Sequence, residues 1–251
     1  MSAIACLAYG IAAYLVFLAT FLYAIGFVGN ILVPTSIDVG RAGPLWEALA
    51  VDLLLLALFA VQHSVMARRS FKRWWTTIVP AAVERSTFVL ASSAALALLL
   101  WQWRPIPEPV LWQVTDPLGA ALLQGVFWLG WGVLLVSTFL INHFELFGLR
   151  QVYANWSKRP IPEPTFHTPL FYRYVRHPIY VGFLLAFWAT PVMTAGHLLF
   201  SIATTGYVLI GIWFEERDLV AQFGDRYRAY RGQVGMLLPR VAARGRPRAP
   251  R

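Results

Sequence analysis

Two polar clusters flank one apolar stretch near the C-terminal end of the chain. Arg176-His177-Pro178 ends a basic, proline-punctuated loop, and Glu215-Glu216 follows the last apolar stretch. Pro178 suits the first turn of a helix, so Arg176 and His177 lie at a helix N-terminus, where free N–H groups and a guanidinium favour an anionic group. Glu215 and Glu216 favour a cationic group. The pattern therefore predicts a ligand that carries both charges.

A second set of candidates lies at the ends of two earlier apolar stretches. His63 ends one of them within Gln62-His63-Ser64, and His143, Glu145 and Arg150 follow another. Histidines near pH 7 can accept a proton, and an arginine can stabilise an anion. Two simpler interpretations stay open. His63 could be an interfacial histidine bonded to a neighbouring helix, and Glu145 and Arg150 could form an ion pair at a polar helix end.

Composition indicates how these residues are positioned. The chain has 251 residues, of which 58% are hydrophobic and 13% charged, whereas soluble domains carry about 25% charged residues. We therefore predict an all-α integral membrane protein with about six transmembrane helices and a C-terminal amphipathic helix at the cytosolic surface. The predicted spans are Ile4–Phe27, Leu45–Val65, Thr87–Trp103, Ala121–Ile141, Tyr180–Thr194 and His197–Trp213.

The distribution of basic residues predicts the orientation. Among the 21 lysines and arginines, only Arg41 and Arg104 fall in the loops on one side of the predicted membrane. Basic loops stay in the cytoplasm, so both termini and Arg176 are expected there, in a bacterial cytoplasmic membrane. The stretch Met66–Trp75 mixes basic residues with tryptophans and predicts binding to anionic lipids. The net charge of +9 therefore indicates membrane lipids as partners and not nucleic acid.

The C-terminal part of the chain resembles a membrane methyltransferase family that includes isoprenylcysteine carboxyl methyltransferases and phospholipid methyltransferases. The residues that carry the resemblance are Arg176-His177-Pro178, Tyr180, Gly182, Glu215-Glu216, Phe223-Gly224, Tyr227, Tyr230 and Leu238-Pro239. It covers roughly residues 142–240 and implies S-adenosylmethionine (SAM) at the cytosolic mouth of the last helical hairpin. SAM carries both of the charges that the two clusters predict.

The resemblance implies a role for each matching position. Arg176, His177, Tyr180 and Gly182 contact or shape the SAM pocket, Glu215 or Glu216 meets the amino group or a ribose hydroxyl, and Tyr227 and Tyr230 line its cytosolic edge. Packing of the terminal helix is an alternative role for the two tyrosines. The implied organisation is transmembrane helices in residues 1–141, a SAM-binding methyltransferase core in 142–240 and a basic disordered tail in 241–251.

Together with Gln62-His63-Ser64, the segment from Asn142 to Gln151 resembles a narrower branch, which contains bacterial methanethiol S-methyltransferases. This resemblance implies a small thiol acceptor and dimethyl sulfide as the product. A thiol with a pKa near 8.5 or above must lose its proton before it attacks. The residues we expect to serve the thiol are His63, His143 and Arg150, with Glu145 orienting a histidine.

Two other functions stay open at this point. The acceptor could be a prenylcysteine or a lipid, or the chain could be a non-catalytic membrane protein that binds haem through His63 and His143. The intact Arg176-His177-Pro178 and Glu215-Glu216 clusters argue against the non-catalytic function. No metal site is predicted, and the oligomeric state stays undetermined.

Overall fold

The computed structural model describes residues 1–41, 43–161 and 165–240. The helices within these ranges are α1 (Ala3–Gly29), α2 (Leu45–Ala67), α3 (Arg69–Trp75), α4 (Ala81–Gln102), α5 (Pro117–Ile141), α6 (His143–Leu146), α7 (Leu149–Ser157), α8 (Pro178–Trp188), α9 (Ala195–Phe223) and α10 (Asp225–Gln233). Two short strands, β1 (Val110–Gln113) and β2 (Val192–Thr194), pair in antiparallel orientation. A 3₁₀ turn at Leu170–Arg173 leads towards α8.

Five helices, α1, α2, α4, α5 and α9, are long and apolar enough to cross a membrane. Their apolar residues point outwards as well as inwards, with Leu15 and Leu54 among the exposed ones. A helix that is apolar on all sides can face the hydrocarbon of a membrane. Its backbone polar groups need no outside partner, since they are bonded within the helix. The predicted all-α architecture of a multi-pass membrane protein is confirmed.

The fifth predicted span is shorter than expected. Helix α8 has 11 residues and ends at Trp188, whereas the predicted span continued to Thr194. Thr190 precedes Pro191, and a residue before proline disfavours helical geometry. The chain then leads into β2, and just before this strand the Thr190 carbonyl accepts a hydrogen bond from the Trp112 indole of β1 at 3.1 Å. Local sequence ends the helix, and the pairing with β1 fixes the extended path.

The C-terminal extension is divided into two helices. Helix α9 continues past the predicted end of its span to Phe223, and α10 begins at Asp225. Gly224 lies between them with a φ of +56°, a conformation that glycine adopts without a steric penalty. The predicted amphipathic extension therefore turns at Gly224, which brings α10 back towards α8.

Helices α5 and α8 pack with their backbones in close contact. A Cβ atom added at Gly182 would lie 2.6 Å from the Gly130 carbonyl oxygen and 2.7 Å from the Leu134 nitrogen. Small residues allow this approach between helices in membranes. The crossing fixes the position of α8 and hence of the residues at its N-terminus.

The opposite end of the bundle is held by its own polar contacts. The Asn30 side chain donates to Asp38 at 2.7 Å, and the Thr194 hydroxyl donates to Asp38 at 2.6 Å. Asp52 is fully buried and accepts the backbone N–H of Arg104 at 2.9 Å. These contacts tie the loop after α1 and the loop after α4 to the rest of the bundle.

Candidate active site at the polar end of the bundle

The two predicted charge clusters contact each other. The Nε atom of Arg176 donates to Oε1 of Glu216 at 2.7 Å, and Nε2 of His177 lies 3.1 Å from the same oxygen. Pro178 occupies the first turn of α8, as predicted. The side chains of Arg176 and Glu216 are only 8% and 12% exposed. These two charges therefore neutralise each other inside the protein and do not face each other across an open gap.

Backbone contacts hold this cluster closed. The N–H of Arg176 donates to the Gly235 carbonyl at 2.8 Å, and that of His177 donates to the Met236 carbonyl at 3.2 Å. The guanidinium of Arg176 also donates to the Arg231 carbonyl at 3.2 Å. The segment after α10 thus runs beside the entry to α8, so Arg176 joins α8, α9 and α10.

Two opposite charges remain at the rim of the cluster. The Glu215 side chain is 45% exposed, with Oε2 3.6 Å from Nδ1 of His177. The Arg231 side chain is 49% exposed, with Nη1 3.8 Å from Oε2 of Glu216. These two side chains are accessible to a ligand that carries an ammonium and a carboxylate. The sequence reasoning missed Arg231, although it follows Tyr227 by one helical turn.

The two C-terminal tyrosines lie beside the cluster. Tyr227 is buried, and its hydroxyl has no hydrogen-bond partner among the described residues. Tyr230 donates to the Tyr172 carbonyl. Burial disfavours the phenolates, so it raises the pKa of Tyr227 well above its ordinary value and that of Tyr230 to about 12. Both hydroxyls stay protonated, and the unpartnered one on Tyr227 can bond a ligand hydroxyl or carboxylate.

The two remaining predicted pocket positions on α8 differ from each other. The Tyr180 ring centroid lies 5.6 Å from that of His177, beside the cluster. Gly182 instead packs against the backbone of α5, at Gly130 and Leu134. Gly182 therefore acts on the cluster through helix packing and not through a contact with it.

His63 lies among aromatic side chains that lead towards α9. Its ring centroid is 5.5 Å from that of Phe59, 4.9 Å from Phe88 and 6.3 Å from Tyr207. Tyr207 belongs to α9, the helix that also carries Glu215 about two turns further on. The structure thus directs His63 towards the helix that holds the acidic residues.

His143 lies in a different part of the bundle. Its Nε2 is 2.8 Å from the Tyr14 hydroxyl and its Nδ1 is 2.9 Å from the Thr138 hydroxyl. Thr138 donates its own hydrogen to the Leu135 carbonyl at 2.7 Å. Nδ1–H of His143 therefore donates to Thr138, and Nε2 accepts from Tyr14. Haem ligation by His143 would break one of these bonds.

Burial also determines the charge of His143. Desolvation lowers the pKa of His143, so the ring is neutral near pH 7. Any proton transfer to its Nε2 must pass through Tyr14, since that hydroxyl occupies the nitrogen. Tyr14 lies in α1, a helix for which the sequence indicated no chemistry.

Glu145 and Arg150 pair with each other, at 2.5 Å between Oε2 and Nη1. The Asn142 amide also donates to Glu145 at 2.7 Å. The expectation that Glu145 orients a histidine is therefore wrong for His143, whose ring is held by Tyr14 and Thr138. The simpler alternative of an ion pair at a helix end matches the structure.

Arg85 is a further residue that the sequence did not single out for chemistry. Its Nε donates to the Leu146 carbonyl at 2.7 Å, and its guanidinium carbon lies 5.0 Å from the Phe88 ring centroid. Phe88 also packs against His63. Arg85 therefore places a positive charge between the surroundings of His63 and helix α6. Its position within the first turns of an apolar helix was the available signal.

Comparisons with known proteins identify relatives over most of the chain. The family model described as NnrU protein matches residues 53–233. A methanethiol S-methyltransferase of Mycobacterium tuberculosis is 60% identical over 231 residues, which cover 92% of this chain and 94% of the relative. Methanethiol S-methyltransferase 2 of Bradyrhizobium diazoefficiens is 58% identical over 243 residues, 97% of this chain and 93% of the relative.

A more distant relative is Nurim of Danio rerio, which is 29% identical over 196 residues. The match covers 74% of this chain and 70% of the relative. No solved structure matches.

Proposed function

The chain belongs to the NnrU protein family, and we propose that it is a SAM-dependent methyltransferase that converts methanethiol to dimethyl sulfide. The observation that carries the proposal is the 60% identity, over 92% of the chain, to a relative named methanethiol S-methyltransferase. The charge arrangement around Arg176 and Glu216 supports the same function.

The rim of the charge cluster fits SAM. Glu215 suits the ammonium group, Arg231 suits the carboxylate, and the unpartnered hydroxyl of Tyr227 suits a ribose hydroxyl. When bound, SAM supplies a methyl group already activated by its sulfonium, so the protein needs no covalent nucleophile. Arg176 and Glu216 hold α8, α9 and α10 together, and this arrangement keeps the rim residues in place.

The surroundings of His63 support a small acceptor. Phe59, Phe88 and Tyr207 pack around the imidazole, and such aromatic surroundings favour a small acceptor over a prenyl or acyl chain. The positive charge of Arg85 next to Phe88 favours a thiolate over a thiol. Among the four residues expected to serve the thiol, only His63 has a described contact with α9, through Tyr207. His143, Glu145 and Arg150 lie around α6 and the start of α7.

The acceptor assignment predicts a volatile product. We expect purified protein in lipid vesicles to form dimethyl sulfide from methanethiol and SAM, detected in the headspace, and the rate to rise with pH as more of the thiol ionises. Vesicles without protein are the control. Methylation of a prenylcysteine or a lipid, with no dimethyl sulfide formed, would show that the acceptor is a larger molecule and not methanethiol.

The distribution of basic residues supports a cytosolic active site in a bacterial cytoplasmic membrane. With buried Cys6 replaced by alanine, cysteines at the exposed positions Arg41 and Arg73 test this orientation. An impermeant thiol reagent should label Arg41→Cys in intact cells, and Arg73→Cys only after the cells are opened. The opposite labelling pattern would place the candidate site on the outer side of the membrane, whereas SAM is made in the cytosol.

A further inference from the structure

Ser92 is a buried polar residue in α4 with no role in the family resemblance. Its Oγ lies 3.2 Å from Nδ1 of His63 and 3.4 Å from Nε2 of Gln62. Buried hydroxyls in a membrane helix commonly bond a carbonyl of their own helix, as Ser137 does with Val133 at 2.6 Å. Among the described residues Ser92 makes no such bond, so its hydrogen is available to His63.

The donors around Ser92 determine the tautomer of His63. The Gln62 amide nitrogen can only donate, so the Ser92 oxygen accepts from it. Among the described residues Nδ1 of His63 is the only other hydrogen-bond partner of this hydroxyl. The Ser92 hydrogen is therefore paired only if it points to Nδ1 and Nδ1 accepts it. A neutral imidazole has one N–H, and that N–H therefore lies on Nε2. Nε2 has no hydrogen-bond partner among the described residues.

We infer that Ser92 is a positioning residue, which fixes His63 in the tautomer that offers Nε2–H to the acceptor sulfur. The inference rests on the proposed function. A neutral ring with its proton on Nε2 cannot remove a proton through that nitrogen, but it can donate a hydrogen bond to a thiolate. His63 is thus a donor that stabilises and aims the nucleophile, and it is not a general base.

The methyl transfer balances without a protein base. The thiol releases its proton to water, and the positive charge of Arg85 favours the thiolate that remains. A sulfur electron pair then forms the new bond to the methyl carbon, while the bond between that carbon and the sulfonium breaks towards the leaving sulfur.

The titratable groups that face His63 from the helices packed on it are Arg85 of α4 and Tyr207 of α9.

The tautomer can be measured directly on the full chain in detergent. Nitrogen NMR of histidine-labelled protein, with the His63 signals assigned by His63→Gln, should show the ring proton on Nε2. The Ser92→Ala variant should shift His63 towards the Nδ1–H form. A wild-type ring with its proton on Nδ1 would overturn the inference, and this result can be read even if methanethiol proves not to be the acceptor.

Kinetics provide the second readout. Ser92→Ala should lower kcat by roughly tenfold, the effect of one hydrogen bond, with an unchanged KM for SAM, and Ser92→Thr should restore most of the rate. The matched control is Ser93→Ala, because Ser93 is also buried but does not bond His63. Equal losses in Ser92→Ala and Ser93→Ala would reduce Ser92 to a packing role.

Substitution of His63 itself separates a donor from a base. His63→Gln keeps an N–H group and should retain several-fold more activity than His63→Ala. A base cannot be replaced by glutamine, so equal and severe losses in both variants would restore the general-base role and refute the inference.

Discussion

Replacing Glu216 with alanine should abolish measurable binding of S-adenosylhomocysteine to the purified protein. Oε1 of Glu216 bonds both Arg176 and His177, so its loss leaves a buried guanidinium without its carboxylate. Removing one partner of a buried ion pair costs about 3–5 kcal/mol. The contacts that hold α10 and the following segment against α8 would loosen, and with them the rim residues Glu215 and Arg231. Isothermal titration calorimetry is the measurement.

A surface ion pair provides the matched control. Asp225 pairs with Arg228 at 2.7 Å, but its side chain is 97% exposed, and exposed pairs contribute little. Asp225→Ala should therefore bind S-adenosylhomocysteine like the wild-type protein. If Glu216→Ala retains wild-type affinity, the Arg176–Glu216 cluster is not part of the cofactor site.

Gly182→Ala should lower both the thermal stability of the protein and its affinity for S-adenosylhomocysteine. The added methyl group would meet backbone atoms of Gly130 and Leu134 at less than 3 Å, and backbone cannot rotate away as a side chain can. Overpacking of this kind costs about 1–3 kcal/mol or more. The displaced helix carries Arg176 and His177 at its start, so the damage reaches the charge cluster. Thermal melts followed by tryptophan fluorescence, with calorimetry, measure both effects.

Helix α5 contains its own control for this experiment. A Cβ atom at Gly132 meets nothing within 4 Å, so Gly132→Ala should keep wild-type stability and gain slightly in helix propensity. Similar melting temperatures for Gly132→Ala and Gly182→Ala would show that the crossing of α5 and α8 tolerates a larger residue.

The sequence predicted the features that depend on local composition. Long apolar stretches indicated the membrane helices, and the family resemblance carried by Arg176-His177-Pro178 and Glu215-Glu216 is confirmed by the family match. The predicted length of α8 was wrong. Pro191 was a local signal that the helix ends early, whereas the extended path after Trp188 is fixed by the contact of the Trp112 indole with the Thr190 carbonyl, which joins residues far apart in sequence. No pattern within the last hairpin reports such a pairing.

The surroundings of the histidines could not be predicted for a related reason. Tyr14 and His143 are 129 positions apart, and His63 and Ser92 are 29 apart. The sequence of an apolar helix does not show which residue of a neighbouring helix its hydroxyl groups contact. The contact of Glu145 with Arg150, by contrast, lies within one short segment and was among the open alternatives.

Some sequence predictions stay predictions. The basic tail predicted at 241–251 lies outside the described residues. The division of the chain at residue 141 also stays a prediction. Helix α7 of the predicted core packs on α1, where Val152 lies against Gly10, so the two parts share an interface.

Because α8 is short, we expect the strain on this helix to depend on the thickness of the surrounding bilayer. Its 11 residues reach about 16 Å, whereas the hydrocarbon core of a bilayer measures about 30 Å. Where α8 faces lipid, local thinning of the bilayer is one way to match its length, at a cost that grows with acyl chain length. A thick membrane strains the outer end of α8. Because α8 packs tightly against α5, we expect this strain to reach the turn that holds Arg176 and His177. We expect lipids with short acyl chains to relieve this strain on α8.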